Sequence, residues 1–210
     1  MSQELKTKEA KEVRAVPITI EIREQTEEGV PSKRTISGSI KFNSLSGEMR
    51  DYYGDSFVEE IATGAFDESL KTRGVVGLWS HRTDMVLGNT KSGTLRIVAT
   101  ASELRFEIDL PDTSIGNDVW ETIKRGDVDG VSFGMRVTKD KWSSEKRESG
   151  GRLYKRSILN AELYEISPVA FPAYPANEVS VRSLDDYRNE QRRAATEYQK
   201  RKLLLELDAT

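Results

Sequence analysis

Short segments in which apolar and polar residues alternate follow one another along most of this chain, with few helices between them. That succession constrains the fold more than any other feature. Ile18, Ile20 and Ile22 alternate with polar neighbours in 16–22, and Ile36, Ile40 and Phe42 do so in 34–42. The pattern returns in 95–101 and 104–110, joined by Ser102-Glu103, and in 131–138, where Val131, Phe133, Met135 and Val137 share one parity. A period of two builds a strand with one buried face. Val75 to Trp79 adds a short apolar strand closed by Ser80 and His81, and 153–158 and 159–167 complete the set. Consecutive strands without crossover helices pair antiparallel. The expected fold is therefore an α+β, mostly-β single domain, an antiparallel β-barrel with a few surrounding helices.

Two helices interrupt the strands. Thr63 or Gly64 can cap a short one over 65–71. Ile115, Val119 and Ile123 recur every four residues after the Asp112-Thr113-Ser114 cap signal, and Gly126 stops that helix. Residues 27–32, 43–55 and 143–151 read as loops, and Pro168, Pro172 and Pro175 end regular structure. The ends differ from the middle. Residues 1–16 alternate Lys and Glu with no apolar run, which predicts a flexible tail rather than a secretory signal. Residues 184–210 predict a charged helical tail whose Leu203, Leu204, Leu205 and Leu207 suit a docking or oligomer contact. The domain proper is expected over 17–183.

Composition excludes several chemistries. The chain has no cysteine and one histidine, so a disulfide framework, a thiolate metal site and a cysteine nucleophile are ruled out. No cofactor or metal is expected; Asp127-Val128-Asp129 sits where aspartates ordinarily mark a turn. No run approaches the ~20 apolar residues of a spanning helix, so no membrane partner is expected. A net charge of −3 without a basic block gives no electrostatic reason to expect nucleic acid.

His81 is the one side chain whose ordinary pKa lies near neutrality, either a general base for a hydroxyl nucleophile or a strand-end histidine satisfied by solvent. Ser132 lies in Gly130-Val131-Ser132-Phe133-Gly134, a G-x-S-x-G pattern. An α/β-hydrolase elbow is contradicted, because the histidine precedes the serine and the flanks alternate as a strand. Ser132 is then a nucleophile on another fold, or a small residue on a solvated face. Glu165 shares parity with Leu159, Ala161 and Leu163, so a regular strand turns it toward the apolar side, where it needs a partner; a bulge would turn it outward. Asp84, three residues after His81, is the other carboxylate within reach of the ring.

Taken in order, Phe57 to Phe66, Trp79-Ser80-His81, Gly130 to Met135, Leu163 to Val169 and Pro172-Ala173-Tyr174-Pro175-Ala176 closely resemble the tailed-phage prohead serine proteases. The resemblance runs from about Ile18 to Val181. It implies a fold similar to the herpesvirus assemblins and a serine endopeptidase that cleaves scaffold segments, the major capsid protein precursor and itself inside the prohead, in the cytoplasm of an infected bacterium. It also implies His81 as general base, Ser132 as nucleophile and Glu165 as the acid orienting the ring. His81 and Ser132 are then expected within hydrogen-bond reach on neighbouring strands, with Glu165 behind the ring. Gly134 and Arg136 are the candidate oxyanion donors. Members often carry Asp directly after the histidine; here Arg82 stands there, and Asp84 is the substitute. A silent assembly factor of the same fold, binding scaffold or capsid protein without cutting it, is the alternative.

Overall fold

The structure is a computed structural model that describes residues 11–17, 20–27, 30–50, 54–148, 150–171 and 178–208. Residues 1–10 of the expected tail, Ile18, and the proline segment after Phe171 lie outside the described residues. Eleven strands and three α-helices follow in order: β1 Glu12–Pro17, β2 Glu21–Glu27, β3 Val30–Lys41, β4 Met49–Arg50, β5 Ser56–Ile61, α1 Asp67–Thr72, β6 Val76–Trp79, β7 Arg82–Asn89, β8 Leu95–Ala99, β9 Glu103–Asp109, α2 Ser114–Lys124, β10 Gly130–Lys146, β11 Arg152–Val169 and α3 Glu178–Asp208.

The strands form two sheets rather than the expected closed barrel. One runs β1-β10-β11-β5-β4, with β6 on β11 and β7 on β6; the other runs β2-β3-β9-β8. Among the described residues no ladder joins them. Nor is the pairing wholly antiparallel, since β5 and β6 both lie parallel to β11. β10 runs along one edge of β11 for nearly its whole length, and on the other edge the 18 residues of β11 take β5 against the first half and β6 against the second. The pattern had suggested two separate strands at 153–158 and 159–167, with 143–151 a loop; instead β10 and β11 form one long hairpin.

Alternation along the strands builds the core. Ile36, Ile40, Leu104, Phe106 and Ile108 of the smaller sheet belong to one buried cluster with Val131, Phe133, Met135, Leu163 and Ile166 of the larger. Helix α2, capped by the Thr113 hydroxyl accepting from the Gly116 N–H, adds Val119, Trp120 and Ile123. Pro17 lies where the strand read over 16–22 divides. Its first residues close β1 in one sheet, and its last open β2 in the other.

Both ends also depart from expectation. Glu12–Val16, read as part of a flexible tail, belong to β1, which pairs antiparallel with β10 from Glu12↔Met135 to Pro17↔Gly130. The charges of this segment turn inward. The Arg14 guanidinium meets Glu12 at 2.7 Å and Glu59 of β5 at 2.9 Å, and Arg156 of β11 meets Glu12 and Glu59 at 2.9 Å each and Asp140 at 2.6 Å. Glu12, Arg14, Glu59 and Arg156 are each no more than 4% exposed. At the other end, α3 starts before the expected boundary. Leu184 is buried with Met49, Phe57 and Trp142, and the Tyr187 ring stacks on Trp142, while the helix from Asn189 to Leu205 is exposed. No described helix is long and apolar enough to cross a membrane.

Deleting one member of a buried ion network leaves its partners charged and dry. Arg156→Leu is therefore expected to cost about 3–5 kcal/mol, read as a lower urea midpoint. A loss within error would show that the network is hydrated rather than buried.

Candidate active site

The β10–β11 register sets the site. Ser132 faces Ser167 and Gly134 faces Glu165 across the ladder, so these four residues share one face, opposite to that of the buried Val131 and Phe133. Glu165 is 2% exposed, so its carboxylate must be met by donors. The Ser167 hydroxyl donates to Oε2 at 2.7 Å, and Oε1 lies 2.8 Å from His81 Nδ1 and 2.9 Å from Lys11 Nζ. Burial pushes the carboxyl up, but the bonds from His81, Ser167 and Lys11 outweigh it and hold Glu165 below its ordinary value of 4.5.

The fold brings His81 to this carboxylate through β6. That strand lies parallel to β11 with Val76 beside Glu165, so its far end runs past Ser167. Trp79 and Arg82 pair across a two-residue turn made by Ser80 and His81, whose φ values are 48° and 63°. Hairpins of this length favour two left-handed residues, normally Asn and Gly. A serine and a histidine there carry strain on the order of 1–3 kcal/mol each. Two bonds hold the turn: the Ser80 N–H donates to the Pro168 carbonyl, and the His81 N–H to the Ser167 hydroxyl, both at 3.2 Å. Ser167 thus links the histidine backbone to the acid that meets its ring. Because an ionised carboxylate only accepts, Nδ1 carries the proton of the neutral ring and Nε2 holds the free lone pair.

Gly134 is required where it stands. A Cβ on it would lie 2.6 Å from Glu165 Oε1 and 2.0 Å from the Lys11 side chain, which crosses over it. Ser132 is 1% exposed, and its hydroxyl donates at 2.9 Å to the backbone carbonyl of Arg14 in β1. That bond stands where one to His81 was expected. Asp84 is on the surface, held by Arg82 at 2.8 Å, and does not join the site. Arg136, whose backbone N–H is one of the two candidate oxyanion donors, sends its guanidinium to Glu162 at 2.7 Å. The sequence reading did not single out Lys11 or Ser167. Ser167 carries the parity of Glu165, which was a usable signal; Lys11 lay in a segment read as tail.

The chain matches the caudovirus prohead serine protease family over residues 19–190, a span that holds His81, Ser132 and Glu165 and begins just after β1. No curated protein matches it. Among solved structures, the bacteriophage T4 capsid assembly protease, gp21, is similar at 10% identity, covering 73% of this chain and 96% of its own, with a TM-score of 0.43.

A carboxyl whose folded pKa lies below its unfolded value adds stability above the unfolded value and loses it as pH falls through the folded one. The urea-midpoint gap between wild type and Glu165→Gln should be widest at neutral pH and close progressively below pH 4.5. A gap independent of pH would mean that the carboxylate gains nothing from its donors.

Proposed function

The chain belongs to the caudovirus prohead serine proteases, and on that premise we propose that Ser132, His81 and Glu165 carry its peptide-bond hydrolysis. The observation that carries this reading is the 2.8 Å contact between the ring of the one histidine and a buried carboxylate. Such a pair fixes the ring's tautomer and favours the imidazolium that forms when it takes a proton. His81 Nε2 removes the Ser132 proton as Oγ attacks the scissile carbonyl carbon. The ring then returns that proton to the leaving amine as the carbon–nitrogen bond breaks. Water, deprotonated by the same nitrogen, cleaves the acyl ester and restores Ser132. Glu165 stays ionised throughout, steadied by Ser167.

The substrates in this reading are the scaffold segment and the major capsid protein precursor, with the protease's own ends as further targets, all enclosed in the prohead in the host cytoplasm. The strain held at Ser80 and His81 supports a functional turn, since a structural hairpin would carry glycine there.

Co-expression with the cognate major capsid protein precursor tests the assignment by intact mass. Wild type should shorten the precursor. Ser132→Ala and His81→Ala should each leave it whole, a loss of ~10⁴-fold or more in turnover. Precursor that stays uncut with all three proteins even in assembled shells would make the chain a silent assembly factor.

A further inference from the structure

Strand β1 lies on the edge of β10, in antiparallel register across Ser132, and outside the span matched by the protease family. It touches two members of the proposed triad. The Arg14 carbonyl accepts a hydrogen bond from the Ser132 hydroxyl, and the Lys11 ammonium, on the residue before β1, shares Glu165 Oε1 with His81. A hydroxyl has one proton to donate, so while it is bound to Arg14 it is not bound to the imidazole. We propose that β1 fills, in cis, the strand site on the edge of β10 that a substrate segment takes, and keeps the protease latent until such a segment displaces it. This rests on Ser132 being the nucleophile.

Three physical points support it. An uncovered strand edge beside a nucleophile offers a row of backbone donors and acceptors to any extended segment, and the ladder gives affinity largely independent of side chains. The contact with Arg14 is non-productive: Ser132 Oγ donates to the carbonyl oxygen, whereas acyl transfer needs Oγ aimed at the carbon and the oxygen held by other donors. This makes β1 an occupant rather than a self-substrate. Finally, β1 ends at Pro17 and β2 begins at Glu21, so the occupant is tethered close by, at an effective concentration on the order of millimolar. An extended segment displaces it only when crowded to a similar level, as in a shell packed with scaffold and not in dilute solution. Glu12 and Arg14, locked into the buried ion network, are the anchor that sets this threshold.

Labelling of the full-length chain with a fluorophosphonate, followed by intact mass, tests the idea. The variant Glu12→Gln with Arg14→Met removes one charge of each sign from the anchor, and Val13→Pro loosens the ladder while leaving the buried charges in place. Either should label at least tenfold faster than wild type. An added peptide spanning residues 11–17 should return the rate toward that of wild type, and Ser132→Ala should abolish labelling in every background. Melting curves identify a variant that fails to fold, in which case the other decides. Equal rates in wild type and a folded loosened variant, both lost on Ser132→Ala, would overturn latency and leave Ser132 as nucleophile. Labelling unaffected by Ser132→Ala, or absent throughout, would overturn both. Spontaneous loss of residues 1–14 from wild type would make β1 a substrate and overturn its role as occupant.

Discussion

The register of one long antiparallel ladder governs this molecule. Because Ser132 faces Ser167 and Gly134 faces Glu165 across β10 and β11, a hydroxyl and a carboxylate rise from the same face of the sheet. A one-residue slip of β11 against β10 would put Glu165 and Ser167 on the face opposite to Ser132. Everything else in the site attaches to the edges of that ladder. Strand β6 joins β11 in parallel and delivers His81 at its end; β1 joins β10 and delivers the Arg14 carbonyl. The buried carboxylate then selects its surroundings, since Glu165 can remain ionised there only while donors from several elements converge on it.

A second group of charges fastens β1 to the larger sheet. Arg14, Glu12, Glu59, Arg156 and Asp140 come from four strands and pair with one another, the first four out of water. Such a network is a poor source of net stability, because desolvation consumes most of the Coulombic gain, yet it penalises any arrangement that leaves one member unpaired. Its effect is on register and on the place of β1. Among the described side chains of β1 the apolar ones are Val13 and Ala15, and the ion network adds to the little that they can bury.

The strands with clear alternation were legible in advance, as were helix α2 with its threonine cap and the glycine after it. These depend on period and local chemistry, which neighbouring residues supply. The two sheets that stand in place of the expected barrel were not legible, since whether strands close into a barrel depends on ladders between residues far apart, and β11 pairs with β5 and β6 in parallel, against the antiparallel rule that short connections suggest. Strand β1 was misread for a plain reason. Charged residues are usually solvated, and its inward face carries glutamate and arginine, whose partners Glu59 and Arg156 are 45 or more residues away.

By itself the sequence determined the chemistry available: one imidazole, no thiol, a serine between small residues in a strand, a glutamate at core parity, and a motif order that places the chain among phage head proteases. Each is a property of single residues or short spacings. Only the tertiary structure decided which groups meet. It set His81 against Glu165 rather than Asp84, placed Ser167 between the acid and the histidine backbone, and turned the Ser132 hydroxyl to a carbonyl of β1. Those contacts join residues separated by up to 118 positions. Their geometry comes from sheet register and edge pairing, which no local spacing encodes.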